Sequence, residues 1–285
     1  MKSGSSYVVG LIGSGIQASR TPSMHEQEAT AHGLRCDYRL IDLDKRELNA
    51  DALPDLLEEA EAEGFTGLNI TYPCKQKVMG LLHELSDDAR AIGAVNTVVY
   101  SDGKRAGYNT DWSGFAASFQ RDLRDVEKDR VIQLGAGGAG AAVAQAMLTL
   151  GTGALAIFDV DSARAQHLAH ELCKRFGEKR ATAVTDLDTA VAASDGLVHA
   201  TPTGMLKYPG LPVPPALLRP ALWVAEIVYF PLETELLRVA RARGCRTMNG
   251  SGMAVFQAAE AFRLFTGISP DVERMQRHFN SMGTK

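Results

Sequence analysis

Short apolar runs rich in β-branched residues alternate along this chain with longer segments whose apolar positions recur at helical spacing. The runs over residues 7–12, 37–42, 67–70 and 97–100 read as strands, with a helix over 48–63 among them. This alternation predicts an α/β fold with a largely parallel sheet. A second series begins at Arg130-Val-Ile-Gln-Leu134 and passes through the alanine-rich stretch after Gly140. It continues with strands over 154–158, 181–184, 196–200 and 222–227. Two series imply two units, and residues 111–128, helical at first and then charged, read as the helix and linker that join them. After Gly250 the pattern is helical over 253–265 and 270–282, and no strand follows. A terminal helix pair without its own sheet has to bury its apolar face on an existing one. The expected organisation is therefore a discontinuous first domain, 1–112 with 252–285, and a second domain over 113–251.

Composition narrows this picture without redirecting it. At 285 residues and 45% hydrophobic content, the chain can hold one large core or two moderate ones. Its 30 Lys plus Arg against 34 Asp plus Glu are spread along the sequence, so no basic stripe offers itself to nucleic acid. No apolar run reaches the ~18–20 residues of a membrane span. Met1-Lys2-Ser3-Gly4 leads into a strand-like segment rather than a signal peptide, so the expectation is a cytoplasmic protein with neither a nucleic-acid nor a membrane partner. Cys36, Cys74, Cys173 and Cys245 stand far apart without a CxxC, as reduced thiols do. His167 and His170 share a face of a helix over 163–176, but no third ligand is near; they read as solvated surface, and no metal is expected.

Two segments match a dinucleotide-binding signature after an apolar run: Gly13-Ser-Gly15-Ile-Gln-Ala18 and Gly135-Ala136-Gly137-Gly138-Ala139-Gly140. The residues downstream of each loop tell them apart. A pyrophosphate is held by free backbone N–H groups at the positive end of a helix, so the loop has to open one. Ala141-Ala-Val-Ala-Gln-Ala-Met-Leu148 is strongly helix-forming, whereas Ser19-Arg-Thr-Pro22 sets a proline where the other helix would continue. The second loop is therefore the candidate. The next strand ends in Asp159, at the spacing of an acid that accepts from both hydroxyls of an adenosine ribose and opposes a 2′-phosphate. With Asp161 two positions on and no Arg directly following, the cofactor is expected to be NAD rather than NADP.

Five further segments stand in order: Ser19-Arg-Thr-Pro-Ser-Met-His25, Gly67-Leu-Asn-Ile-Thr-Tyr-Pro-Cys-Lys75, Gly93-Ala-Val-Asn-Thr97, Gly107-Tyr-Asn-Thr-Asp111 and Ala200-Thr-Pro-Thr-Gly-Met205. With the glycine loop and Gly250-x-x-Met253-x-x-x-Gln257 they span nearly the whole chain, and they resemble the motif set of the shikimate/quinate dehydrogenase family. The resemblance implies an N-terminal α/β substrate-binding domain, a Rossmann-type doubly wound parallel sheet for the cofactor, and a cleft between them; a monomer or a homodimer is expected.

Oxidising a secondary alcohol with a nicotinamide needs a group that takes the hydroxyl proton while hydride leaves carbon. Lys75 falls just past a strand end, at a loop edge, and a carboxylate such as Asp111 can hold an ammonium in place. Alone, each would be a solvated surface charge; the resemblance makes Lys75 the acid/base and Asp111 its partner. A polyhydroxylated ring carboxylate needs many short polar donors and acceptors. By resemblance Ser19 and Thr21 grip its carboxylate, while Asn69, Thr71, Asn96 and Gln257 bind ring hydroxyls. Tyr229 matches a tyrosine near substrate and nicotinamide, a core role being the alternative. Gly135, Ala136, Gly137, Gly138 and Ala139 cradle the cofactor in the same comparison, Thr201, Gly204 and Met205 lie along its nicotinamide ribose, and Gly250 and Met253 complete the set. His25 reads as helix structure rather than chemistry.

The departures inform the choice within the family. Thr21 stands where biosynthetic members carry Ser, and Asp159-Val160-Asp161 where they carry an Asn-Arg-Thr type segment; both lean toward the NAD-linked branch. Gly15 and Ala18 replace the usual Pro and His before Ser19, and His199 the usual Asn before Ala-Thr, which leaves the identity of the ring acid open. The sequence thus points to reversible NAD-linked oxidation of shikimate to its 3-dehydro ketone, with quinate left open. The alternatives are an NADP-type biosynthetic or an aminoshikimate enzyme, and a non-catalytic ligand-binding protein on the same scaffold. The presence of Lys75 and Asp111 argues against the last.

Overall fold

The computed structural model describes residues 6–283; the segment considered for targeting, Met1 to Gly4, and the end of the expected first domain lie outside the described residues. The chain forms two compact units, one of residues up to 110 together with 255–283, the other of residues 111–254.

The first unit runs β1 (Ser6–Gly13), α1 (Thr21–Ala31), β2 (Arg35–Asp42), α2 (Leu53–Ala62), β3 (Gly67–Ile70), β4 (Glu84–Leu85), α3 (Asp87–Ile92), β5 (Thr97–Ser101) and β6 (Lys104–Tyr108). Its sheet has the order β2-β1-β3-β5-β6-β4. β1 pairs in parallel with β2 and β3, but β5 is antiparallel to both β3 and β6. The largely parallel sheet expected from the alternation is thus a mixed one here. Asp102 and Gly103, both at positive φ, form the two-residue hairpin that turns β5 back into β6, and an Asp-Gly pair is the favoured sequence for that turn. Ile12, Leu53, Leu57, Leu68, Ile70 and Val98 are fully buried around this sheet.

The second unit runs α4 (Asp111–Asp122), β7 (Arg130–Leu134), α5 (Gly138–Thr149), β8 (Ala154–Phe158), α6 (Ser162–Phe176), β9 (Ala181–Ala183), α7 (Leu187–Ala192), β10 (Gly196–His199), β11 (Trp223–Glu226), α8 (Glu235–Ala242) and β12 (Thr247–Met248). Every pairing in the order β12-β11-β10-β7-β8-β9 is parallel. Val131, Val143, Met147, Leu155 and Phe119 fill one face; Ile132, Leu134, Leu197, Val224 and Leu236 fill the other. This is a doubly wound sheet. Chain order reverses between β7 and β10, and in such sheets ligands bind at the carboxyl ends of the strands beside that reversal.

Two helices close the chain, α9 (Ser251–Thr266) and α10 (Val272–Ser281). Ala261 and Phe265 of α9 pack with Val9, Leu11 and Tyr38. On α10, Met275 and Phe279 are buried, and Arg274 meets Glu28 of α1 at 2.6 Å.

His25 lies inside this packing. Its ring is buried against Tyr38, Phe262 and Phe265, with centroids 5.1, 5.9 and 5.8 Å away, and its Nε2 has no hydrogen-bond partner. Burial, only partly opposed by Glu28, pushes the imidazole from 6.5 down to about 3. In the fold the ring stays neutral where the unfolded chain already binds a proton. Its contribution is therefore intact above the unfolded value of 6.5 and is lost as pH falls toward 3, at about 1.4 kcal/mol per pH unit. Urea unfolding should show the wild type losing about 2 kcal/mol more than His25→Leu between about pH 7 and about pH 5. Equal losses would mean that His25 is not held neutral.

Candidate active site

Lys75 sits in the turn that follows β3. Its carbonyl accepts the Val95 N–H at 2.8 Å, and the Thr71 carbonyl accepts the Cys74 N–H at 2.8 Å, so the turn is tied to its own start and to the segment before β5. Cys74 is core: burial, partly offset by Lys77, pushes its thiol up to about 11, which removes it as a nucleophile.

Asn69 and Asn96 are buried next to this turn and are linked to each other through Thr97. Tyr38 O–H donates to Asn69 Oδ1 at 2.8 Å, and Asn69 Nδ2 donates to Thr97 Oγ1 at 3.2 Å. Asn96 Oδ1 accepts the Thr110 N–H at 2.7 Å, while its Nδ2 donates to Thr110 Oγ1 at 3.0 Å. Each carboxamide is held in one orientation by partners on both ends. Both asparagines are among the residues expected from sequence; Tyr38, which fixes the first of them, is not. Thr71 and Gln257 are half-buried, Gln257 on α9.

Ser19 and Thr21 stand at the start of α1, where the Thr21 N–H reaches Ser19 Oγ at 3.3 Å. Here the structure corrects the expectation from sequence. Pro22 does not block a helix after the first glycine loop; α1 begins at Thr21 with proline in its first turn, where the missing N–H leaves nothing unpaired. The N–H groups of this loop are turned to Asp42. Its carboxylate accepts from Gly15 N–H at 3.1 Å, Ile16 N–H at 3.2 Å, Gln17 Nε2 at 2.8 Å and Asp44 N–H at 3.1 Å. Burial pushes Asp42 up, but these bonds together outweigh it and hold the carboxyl below its ordinary range.

In the second unit, the loop from Gly135 to Gly140 leaves β7 and opens α5. Gly135 has φ +101° and a Cβ there would collide with the Ala200 carbonyl; a Cβ on Gly140 would collide with the Gly135 carbonyl. Gln133 is buried beneath the loop and braces it, donating through Nε2 to the carbonyls of Gly135 and Gly140, both at 2.8 Å. Gly137 caps α5 without a side chain, and a Cβ on it would meet nothing. Ala136, Gly138 and Ala139 line the same turn. The open space at Gly137, beside first-turn N–H groups that no side chain caps, fits a pyrophosphate.

Asp159 follows β8. Its Oδ2 accepts the Ala136 N–H at 2.7 Å and its Oδ1 the Asp161 N–H at 2.9 Å. Each carboxylate oxygen keeps a further lone pair for a ribose hydroxyl. Asp161 caps α6 and meets Arg164 at 3.0 Å.

Thr201, Gly204 and Met205 form the loop after β10, with Gly204 at φ +95°. Behind it His199 and Glu226 are buried side by side, and His199 Nε2 is 2.5 Å from Thr201 Oγ1. Tyr229 is half-buried past β11. Gly250 is buried where a Cβ would collide with the carbonyls of Ile227 and Val228, a reason for glycine that needs no ligand. Met253 is packed in the core with Phe115, Phe119 and Trp223. Asp111 is buried as the first residue of α4. Among the described residues, no group of three His, Cys, Asp or Glu is placed to hold a metal, and no helix is long and apolar enough to cross a membrane.

The family model for the shikimate dehydrogenase substrate binding domain matches residues 11–98, and that for the shikimate 5′-dehydrogenase C-terminal domain matches residues 250–278. The chain is 57% identical over 272 residues to the shikimate dehydrogenase (NADP(+)) of Streptomyces avermitilis, covering 95% of this chain and 94% of that one. It is 47% identical over 280 residues to the quinate/shikimate dehydrogenase (NAD(+)) of Corynebacterium efficiens, covering 97% and 99%. Among solved structures, quinate dehydrogenase from Corynebacterium glutamicum in complex with NAD superposes with a TM-score of 0.91 at 45% identity, over 97% of this chain and 99% of that one.

Proposed function

The chain belongs to the shikimate dehydrogenase family of nicotinamide-linked oxidoreductases, and from that premise we propose that it oxidises shikimate reversibly to the 3-dehydro ketone with NAD, and takes quinate as a second substrate. The observation that carries the choice of cofactor is Asp159, whose carboxylate is tied to the glycine loop through the Ala136 N–H at 2.7 Å. Held there, it accepts from ribose hydroxyls and repels a 2′-phosphate.

Ser19 and Thr21 receive the substrate carboxylate at the start of α1, and Thr71, Asn69, Asn96 and Gln257 select the ring hydroxyls. Because Tyr38 and Thr110 fix the two carboxamides before substrate arrives, little ordering is left for binding to pay. Nicotinamide, when bound, supplies the hydride acceptor. In oxidation the Lys75 amine takes the hydroxyl proton as the hydride departs; in reduction the ammonium returns it to the developing alkoxide. Asp111, buried at the start of α4, is the partner carboxylate that the resemblance assigns to this step.

Identity of 57% to an enzyme named for NADP(+) favours a second reading, in which this chain uses NADP. Arg164, which meets Asp161, is the nearby cation such a reading would recruit. The kcat/KM values of wild type and Asp159→Ala with each nicotinamide separate the two. If NAD is the cofactor, the variant's preference for it shrinks by about 10- to 100-fold, the worth of charge-assisted hydrogen bonds to a ribose. An unchanged ratio would place the discrimination elsewhere, and a wild-type preference for NADP would favour the second reading.

A further inference from the structure

Two buried polar side chains of the second unit have no part in the chemistry proposed so far. His199 ends β10 and Glu226 ends β11; they pair in register, and both side chains are 0% exposed. Sealing an imidazole and a carboxyl inside a sheet is costly unless every polar atom finds a partner. Here each one does. Glu226 accepts from His199 Nδ1 at 2.9 and 3.0 Å, from the Val228 N–H at 2.9 Å and from the Thr234 hydroxyl at 3.1 Å. Thr234 is itself the cap of α8, accepting the Leu237 N–H at 3.3 Å.

With Nδ1 committed to the carboxyl, the other ring nitrogen faces Thr201 Oγ1 at 2.5 Å. That oxygen accepts the Thr203 N–H at 3.3 Å, which leaves its own proton for the ring. A line of hydrogen bonds thus runs from the start of α8 through Thr234, Glu226 and His199 to Thr201, the residue at which the loop leaves the sheet. Beyond it, among the described residues, the loop's backbone bonds are internal: Gly204 N–H to the Tyr208 carbonyl at 2.7 Å, and Met205 N–H to the Pro202 carbonyl at 3.1 Å. Met205, Leu206 and Tyr208 are 41%, 67% and 50% exposed. The loop is therefore anchored at its root and little elsewhere.

We propose that Glu226 and His199 are positioning residues: through Thr201 they hold the 201–205 segment in the conformation that receives the nicotinamide end of the cofactor. The proposal rests on the reading of that segment as the nicotinamide loop. An apolar pair would fill the same volume without the desolvation cost, but it would leave Thr201 free to swing, and a displacement of about 1 Å at a hydride-transfer site costs up to about a hundredfold in rate.

The test measures kcat for NAD-linked shikimate oxidation, the affinity for ADP, which lacks both the nicotinamide ring and its ribose, and thermal unfolding. Thr201→Val removes the tethering hydroxyl at nearly constant shape. It should lower kcat by about tenfold to a hundredfold with ADP affinity unchanged within about twofold. His199→Leu should do the same, and His199→Gln, whose amide reaches toward the position of Nε2, should recover most of the loss. Should His199→Leu fail to fold, Thr201→Val still decides the question. An unaltered kcat in Thr201→Val, or equal losses of turnover and ADP affinity, overturns the proposal. Met205→Ala tells the two levels apart: if it slows turnover while Thr201→Val does not, the tether is wrong and the loop reading stands; if neither slows it, the loop reading falls and the tether with it.

Discussion

Lys75→Ala should lower turnover by about 10²- to 10⁴-fold, the usual worth of a positioned acid/base group, while substrate affinity stays within a few-fold. The split comes from what each group touches. In the proposed reading, binding is spread over Ser19, Thr21 and the carboxamides of Asn69 and Asn96, the last two held in place by Tyr38 and Thr110. Proton transfer instead rests on one amine. Lys75→Arg sharpens the test, because a guanidinium keeps the charge and does not give up its proton. If charge alone mattered, the arginine variant would retain turnover; if proton transfer matters, it is as slow as alanine. Near-native turnover in both variants would remove Lys75 from the chemistry.

The second large effect concerns two glycines of one loop. Gly137→Ala should weaken NAD binding by about tenfold or more and change unfolding stability by less than about 1 kcal/mol. The backbone there is extended, at φ −77° and ψ −171°, and an added Cβ meets no protein atom. What it fills is the space read as the phosphate cradle. Gly135→Ala should behave differently, because φ is +101° and the Cβ collides with the Ala200 carbonyl. That variant should lose about 2–3 kcal/mol of stability as well as cofactor. Normal NAD affinity in Gly137→Ala would move the pyrophosphate away from the start of α5.

Legibility in the sequence tracks the range of the interaction. β3 at Gly67–Ile70 and the glycine turn from Gly135 to Gly140 that opens α5 are readable because a buried strand and a strand-to-helix turn are specified by adjacent residues. The β5–β6 hairpin escapes the pattern of apolar runs although Asp102-Gly103 carries its turn signal, and the start of α1 is hidden because Pro22 reads as a breaker when it stands in a first turn. Asp42 and Gln133 are hidden for another reason. Asp42 ends β2 and Gln133 stands inside the apolar β7, and the loop each braces is apparent only in the folded chain. Tyr38 with Asn69, and His199 with Glu226, are pairs 31 and 27 residues apart in the chain, joined only by strand register. Met253 matches a family motif, but its side chain is packed in the core.

Hydride movement between a ring hydroxyl and NAD is the step on which every residue role proposed above depends. It is tested most directly by mixing the purified protein with shikimate or quinate and each nicotinamide and following reduced cofactor by its near-ultraviolet absorbance. NADH should form with shikimate, at a kcat/KM above that with NADP, and the reaction should reverse when the 3-dehydro ketone and NADH are supplied. Absence of reduced nicotinamide with either ring acid and either cofactor would contradict it.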